Sequence, residues 1–197
     1  MSRKEETLDA FEKLVARFGL DKVTMQDLAA EVGVSVGAIY LDYANKDAII
    51  QAIEERWHHQ INEFSRTIIE SKATPEDKIY QLIVGHIDHL SQKMRNDHAF
   101  LVLLTGALRV KYTGKKMKDM HAEIKEKMSA SLAKCLSEGR KQKRFRVDNP
   151  EFTARLLVDA FAGYFSPHEI MRQKHEDMMV KVKGMYDLMM KALKANA

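Results

Sequence analysis

Residues 23–40 read VTMQDLAAEVGVSVGAIY, and this stretch decides the fold. Thr24 and Ser35 are suitable N-caps for two short helices, because a hydroxyl oxygen can accept a hydrogen bond from a free backbone N–H. Gly33 lies between them and supplies the left-handed conformation that a tight turn requires, while Ala29 is small enough to let the helices approach. The stretch predicts a helix-turn-helix, although such helix pairs also occur in proteins that bind no DNA.

Apolar residues continue at helical spacing on both sides of this stretch. A first helix is predicted over about residues 6–18 and a fourth, capped by Asn45, over about 46–71. The third helix contains Ile39 and Tyr40. The expected inner faces of the first, second and fourth helices consist of Leu8, Phe11, Leu14, Val15 and Phe18; of Met25, Leu28, Ala29 and Val32; and of Ile49, Ile50, Ile53, Trp57, Ile61, Phe64 and Ile68.

After Thr74-Pro75 the pattern predicts long helices. Their approximate ranges are 76–94, 97–111, 115–141, 150–165 and 168–194, with breaks at 96–97, 113–114, 144–150 and 166–167. The expected fold class is all-α. An N-terminal three-helix unit with the helix-turn-helix (1–48) is followed by a larger helical domain (49–197), and the fourth helix is shared between them.

Composition is that of an ordinary globular chain, with 45% hydrophobic and 30% charged residues. The single cysteine excludes an internal disulfide. No apolar run approaches the ~20 residues that cross a bilayer, so we expect a cytoplasmic protein. Residues 1–57 hold seven Lys/Arg against eleven Asp/Glu, a balance of −4, and the remainder holds 25 against 17, a balance of +8. The overall charge of +4 is therefore not evidence that the N-terminal segment binds DNA.

Several segments carry a resemblance to a known family. They are Thr7-Leu8-Asp9-Ala10-Phe11, Phe18-Gly19, the residues 23–29, the residues 33–40, Tyr43 and Asn45-Lys46-Asp47. Over about 45 consecutive residues their order and spacing resemble the TetR family of transcriptional regulators. The resemblance implies DNA binding, a dimer built by the last two helices, and a ligand pocket among the middle helices.

The resemblance also implies which residues contact DNA. Thr24 matches a phosphate contact at a helix N-terminus, and Tyr40 and Lys46 match positions that clamp phosphates. Ser35, Val36, Gly37 and Ala38 open the recognition helix and are expected to face the major groove, and Leu41 is a further expected DNA contact. The resemblance implies no cofactor, no metal and no catalytic residue.

Three residues depart from the family pattern. Val36 stands where a basic or polar residue is common, and Leu41 and Asp42 stand where His, Tyr, Asn or Arg is common. The Asp42 carboxylate would repel phosphates unless it is paired or turned to a cytosine amino group. It is equally consistent with a solvated residue at the helix end. Weaker or unusual operator binding is the expected consequence.

Two broad apolar faces are predicted in the last helices, and they must be covered by the chain itself or by a partner. One consists of Leu156, Leu157, Ala160, Phe161, Tyr164 and Phe165; the other consists of Met178, Met179, Val182, Met185, Tyr186, Met189, Met190 and Leu193. We expect a homodimer through these faces, centred on Phe161 and Met185.

The expected effector is a small apolar or amphipathic molecule that loosens DNA binding by tilting the fourth helix. For each candidate contact, plain core packing is the alternative. The candidates are Trp57, Ile61, Ile83, Ile87, Phe100, Leu104 and Tyr164, with His86 and Arg109 as polar contacts.

Other function classes find less support in the sequence. It contains no Gly-rich phosphate loop, no Gly-x-Ser-x-Gly elbow and no His-Glu-x-x-His helix, so we expect no enzyme. His86 and His89 lie one helical turn apart with Asp88 beside them, but such a pair shows only two of the three or four converging ligands that zinc needs. Cys135 is expected in a helix core. A DNA-binding regulator, most simply a repressor, is the leading hypothesis. The alternative is a small-molecule-binding protein of the same fold with weak or lost DNA binding.

Overall fold

The computed structural model describes residues 2–110 and 115–194, with side chains for all of these except 106–110 and 115–121. Within these residues the all-α class is confirmed, and the one strand-like pairing is an isolated bridge between Phe145 and Lys194. The helices are α1 (Arg3–Phe18), α2 (Met25–Val32), α3 (Val36–Asp42), α4 (Lys46–Glu70), α5 (Pro75–Tyr80), α6 (His86–Asn96), α7 (His98–Val110), α8 (Lys115–Lys141), α9 (Pro150–Phe161), α10 (Pro167–Arg172) and α11 (His175–Leu193).

The chain divides into two compact units. The first comprises Met1–Asn62 and Arg95–Thr113, and the second comprises Glu63–Met94 and Gly114–Ala197. Helix α4 contributes residues to both. The predicted functional boundary between residues 48 and 49 falls within the first unit and stays a prediction, and the predicted break at 113–114 lies outside the described residues.

The first unit has an apolar core built by α1, α2, α3, α4 and α7. Helix α1 begins at Arg3, earlier than predicted, because the Ser2 hydroxyl accepts a hydrogen bond from the backbone of Glu5. Three side chains predicted on inner faces are exposed: Phe18, the last residue of α1, Ile61 and, in the second unit, Phe64. The fully buried side chains here include Phe11, Val15, Leu28, Ile39, Ile49, Ile53 and Leu103.

A charged cluster fastens α1 to α4. The Arg56 guanidinium lies 3.2 Å from a Glu5 oxygen, 2.7 Å from one of Asp9 and 2.7 Å from one of Glu12. The indole N–H of Trp57 also donates to Glu12, at 3.2 Å. The three acids are spaced by four and three residues and so lie on one face of α1. Arg56 therefore holds the first helix at a fixed position along α4.

The second unit contains one helical run interrupted by a widened turn. A single helix over 76–94 is predicted, but a π turn at Gln81–Gly85 separates α5 from α6. The sequence has no marker for this turn. Single π turns are rare and occur preferentially at functional sites.

The last predicted helix, 168–194, is wrong as a single element. Gln173 and Lys174 are extended, so α10 ends at Arg172 and α11 begins at His175. The His175 ring lies 2.9 Å from the Ser91 hydroxyl and 3.0 Å from an Asp88 oxygen, both on α6. These contacts anchor the start of α11. The helix predicted over 150–165 is also shorter than expected. It ends as α9 at Phe161, because Ala162–Phe165 forms a 3₁₀ turn.

The two apolar faces predicted to bind a partner lie instead in the core of the second unit. Phe161 is only 1% exposed and Met185 is half-buried. The chain therefore covers most of both faces itself, and of the residues predicted on them Leu156 and Ala160 stay exposed and available to a partner. The remaining members of the faces that are buried are Leu157, Met178, Met179, Val182, Tyr186 and Met190.

Candidate nucleic-acid interface

The helix-turn-helix is held by local hydrogen bonds at each helix end. The Thr24 hydroxyl accepts from the backbone of Asp27 at 3.1 Å, and the Asp27 carboxylate accepts from the backbone of Thr24 at 2.9 Å. Gly33 ends α2 with φ 78° and ψ 32°, a conformation that L residues rarely adopt. The Ser35 hydroxyl accepts from the backbone of Ala38 at 3.2 Å. These caps confirm the predicted start and end of α2 and the predicted start of α3.

Packing between the two helices is also as predicted. Leu28, Ala29 and Ile39 are buried, with exposures of 0%, 2% and 0%. Met25 and Val32, predicted on the same face, are half-buried. The buried residues fix α3 on α2, so its opposite face is presented to solvent in one orientation.

The outward face of α3 holds the predicted major-groove contacts. Gly37 is exposed, and Val36 and Ala38 are half-buried. Tyr40 and Leu41 are 52% and 84% exposed. The structure thus brings the predicted α3 contacts together on one accessible surface, and their contact with DNA stays a prediction.

The Asp42 carboxylate, which was expected to repel phosphates unless paired, is paired within the protein. It lies 2.6 Å from Nε of Arg3, and the Asp42 side chain is only 11% exposed. The hydrogen bond from Arg3 lowers the pKa of the Asp42 carboxyl below its ordinary value. Sequence reasoning missed Arg3, because the two residues are 39 positions apart and no local pattern connects them.

Lys46 is engaged within the protein. Its ammonium donates to the carbonyl of Leu20 and to that of Val23, the latter at 3.1 Å. Burial lowers the pKa of this amine. The ammonium thus ties the chain between α1 and α2 and helps to position Thr24. The phosphate contact expected of Lys46 stays a prediction. It would use the donor capacity of the ammonium that these two bonds leave.

Five candidate ligand residues belong to the first unit. The rings of Trp57 and Phe100 meet edge to face, with centroids 4.5 Å apart. Leu104 is half-buried, while Ile61 is 41% exposed. The side chain of Arg109 lies outside the described residues. Trp57 and Phe100 pack in the manner of a core pair, which is the alternative held for them from the sequence.

The other candidates belong to the second unit, and three of them lie in the π turn or directly after it. Ile83, His86 and Ile87 are buried. Nδ1–H of His86 donates to the carbonyl of Leu82 at 2.9 Å, and burial lowers the pKa of this imidazole to about 4. Tyr164 lies apart from the turn on the 3₁₀ segment and is half-buried.

Three residues near His86 were not among the predicted ligand contacts. The Phe64 ring lies 4.9 Å from the His86 ring and 6.2 Å from that of His89. The Ser65 hydroxyl lies 3.5 Å from Nε2 of His86. All four belong to the second unit and form the His86 cluster (Phe64, Ser65, His86 and His89). The spacing of apolar residues in α4 predicted Phe64 on the inner face of that helix. No sequence pattern indicates that this part of α4 lies near the π turn.

Metal and redox chemistry gain no support from the side chains that the structure describes. Among them no three His, Cys, Asp or Glu residues converge. Cys135 is 1% exposed, and burial raises the pKa of its thiol to about 11. The thiolate that redox reactions require is therefore disfavoured. Among the described helices, none has the length and apolarity that a membrane span demands.

Comparison with known proteins identifies the family. The family model for bacterial regulatory proteins of the tetR family matches residues 8–53, which cover most of α1, all of α2 and α3 and the start of α4. The nucleoid occlusion factor SlmA of Vibrio cholerae serotype O1 is 30% identical over 166 residues, 80% of this chain and 79% of SlmA. The chain belongs to the TetR family.

Other relatives agree with this assignment. The uncharacterised HTH-type transcriptional regulator YvaF of Bacillus subtilis is 29% identical over 147 residues, 73% of this chain and 72% of YvaF. The Stenotrophomonas maltophilia repressor SmeT, solved with triclosan, has a TM-score of 0.70 at 19% identity over 100% of this chain and 94% of SmeT. At that identity SmeT shares the fold alone. This TetR-family chain is thus a transcriptional regulator, and these relatives are regulators rather than enzymes.

Proposed function

We propose that the chain is a homodimeric repressor that binds a pseudo-palindromic operator and releases it when a small apolar or amphipathic effector binds. The observation that carries this proposal is the capped helix-turn-helix, whose outward α3 face is exposed while its inner face is fully packed. Such a face is suited to the major groove, which admits one α-helix. It is proposed to act in the cytoplasm, without catalytic activity.

Dimer formation is supported by exposed apolar residues on two helices of the second unit. Phe152 and Leu156 on α9 are 56% and 49% exposed, and Val180 and Leu188 on α11 are 72% and 69% exposed. Spacings of four and eight residues put each pair on one side of its helix. We call these four the apolar pairs. Side chains of this kind are unfavourable in water, and a second copy is the simplest cover for them.

A two-fold dimer explains why the operator is expected to be pseudo-palindromic. Its two copies of α3 would enter successive major grooves one or two helical turns apart, each turn being ~34 Å. The predicted phosphate contacts at Thr24, Tyr40 and Lys46 would fix the register, and the α3 face would provide sequence discrimination.

Effector release is supported by the course of α4 and by the His86 cluster. Helix α4 carries Lys46 at its start and Phe64 and Ser65 near its end. An effector that displaces Phe64 would tilt α4 and move the residues at its start. A tenfold loss of operator affinity needs ~1.4 kcal/mol of coupling. SmeT, solved with triclosan, provides a precedent for a small organic molecule bound by this fold.

The test is selection of bound duplexes from a random-sequence library with the full chain, followed by release with a panel of apolar and amphipathic compounds. We expect an inverted repeat to be enriched and at least one compound to release it. Failure to enrich any sequence would instead support the alternative of a ligand-binding protein without DNA binding.

A second candidate function is nucleoid occlusion, favoured by the 30% identity to SlmA over 80% of this chain. The two functions differ in where the protein binds along a chromosome. A repressor is expected to occupy promoters, whereas a protein acting on the nucleoid as a whole is expected to occupy sites outside promoters as well. Mapping of occupied sites by crosslinking and sequencing separates them.

A further inference from the structure

The most exposed large apolar side chain among the described residues lies on the outward face of α3. Leu41 is 84% exposed, more than Val180 at 72% or Leu188 at 69%. Leu41 belongs to the surface proposed above to enter the major groove, so the partner that covers it there is a base-pair edge.

Hydrogen-bonding groups are scarce on the same helix. Asp42 is bonded to Arg3 and its side chain is 11% exposed, so its carboxylate is engaged within the protein. The Ser35 hydroxyl oxygen accepts from the backbone of Ala38. Helix α3 contains no Asn, Gln, Lys, Arg or His, the side chains that form most specific bonds to base edges. Tyr40 contributes the one remaining hydroxyl.

Space for a close contact exists beside Leu41. Gly37 lies four residues earlier and therefore on the same side of α3. Apart from the neighbouring residues and the backbone of α3, a Cβ added at Gly37 would meet only the Ser35 hydroxyl, at 3.9 Å, so this side of α3 is open at Gly37. Glycine is a poor helix former, and its presence here leaves room for DNA to approach the backbone.

Among the base edges of the major groove, the 5-methyl group of thymine is the apolar feature that an aliphatic side chain can read. We infer that Leu41 recognises thymine in each operator half-site through its 5-methyl group, with Gly37 providing the room. This inference rests on the proposed DNA binding and names the base that the site selects.

The experiment starts from the duplex that the full chain enriches from a random library. Each thymine of a half-site is replaced by uracil, which removes the methyl group alone, and the same change is made in the symmetric half-site. Burial of one methyl-sized group changes affinity by about fourfold. We expect one position to lose about fourfold when one half-site is changed and about 15-fold when both are changed.

Protein variants assign that loss to one side chain. Leu41→Ala should bring the thymine-to-uracil affinity ratio at that position close to one, while Leu41→Met, which keeps an apolar chain, should preserve most of it. Tyr40→Phe, which removes a predicted phosphate contact, is the comparison: it should weaken binding to the thymine and uracil duplexes alike and so leave their ratio unchanged. Because Leu41 is exposed, its substitution should leave the helix content measured by circular dichroism unaltered.

Each outcome bears on the inference. If the selected duplex binds equally well with uracil at every position, the inference is overturned while DNA binding stands. If the ratio persists in Leu41→Ala, Leu41 is not the reader, and its exposure then points to a protein partner. If no duplex is enriched, the proposed function itself fails and the inference with it.

Discussion

Arg3 and Asp42 are 39 residues apart, yet Nε of Arg3 lies 2.6 Å from an Asp42 carboxylate oxygen. The pair joins the start of α1 to the last residue of α3. A carboxylate on the DNA-facing helix is thereby neutralised before any phosphate approaches. The acidic residue that seemed to argue against DNA binding is compatible with it.

Removal of Arg3 should expose this charge. Arg3→Ala is expected to weaken binding to all DNA sequences, and Asp42→Asn on that background should restore much of the loss. Asp42→Asn alone should strengthen binding, since it removes a negative charge and releases Arg3. Fluorescence anisotropy on specific and scrambled duplexes measures these effects. A loss of binding in Asp42→Asn would mean that the carboxylate contacts a base.

Gly37 can be tested for close approach to DNA. Gly37→Ala has room within the protein and should raise the free energy of unfolding by up to about 1 kcal/mol through helix propensity. The same methyl group should weaken operator binding, because it fills space reserved for DNA. Urea unfolding and a binding titration on one preparation give both values. Unchanged binding would remove Gly37 from the interface.

Lys46 has two expected roles that can be separated. Lys46→Ala removes hydrogen bonds to Leu20 and Val23, each contributing about 1 kcal/mol. If the ammonium also contacts a phosphate, the slope of log affinity against log salt should fall by ~1. A stability loss with an unchanged slope would leave Lys46 with the structural role alone.

The burial of His86 predicts acid sensitivity. Its pKa is about 4 in the folded protein and 6.5 ordinarily, so the unfolded chain takes up the proton first as the pH falls. The stability that the neutral ring provides is present above pH 6.5 and is lost progressively down to about pH 4, by roughly 3 kcal/mol. His86→Gln should flatten this dependence in urea titrations. His168→Gln, at an exposed position, is the control. Equal slopes of stability against pH in the unsubstituted protein and both variants would contradict this prediction.

The apolar pairs predict how the dimer can be broken. Leu188→Glu should give a folded monomer in light scattering at micromolar concentration, because a carboxylate cannot be buried there unpaired. Lys183→Glu, an exposed change on the same helix, is the control. A Leu188→Glu protein that remains dimeric would exclude this surface as the interface.

Local chemistry explains which features could be predicted from sequence. Thr24, Ser35 and Asn45 each cap a helix through a bond to a residue three positions ahead, so their role is visible in the sequence itself. The pairs made by Arg3 and Arg56 join residues 39 to 51 positions apart, and spacing along the chain has no signal for them.

Amphipathic helices with two apolar sides caused the main error. Helix α11 has methionines on one side and Val180 and Leu188 on another, and the sequence does not say which side meets the core. The methionine side was predicted to contact a partner, but it is the side that the second unit buries. The break at Gln173 was missed because neither Gly nor Pro marks it.

The central claim is sequence-specific DNA binding by a dimer. Its most direct measurement is a salt-titrated anisotropy assay of the full chain on the DNA upstream of its own gene, against a scrambled duplex. The account predicts binding at least 10³-fold tighter to one upstream segment, consistent with a specific regulator, with two chains, or a multiple of two, per duplex. Equal affinity for both duplexes at every salt concentration would contradict it.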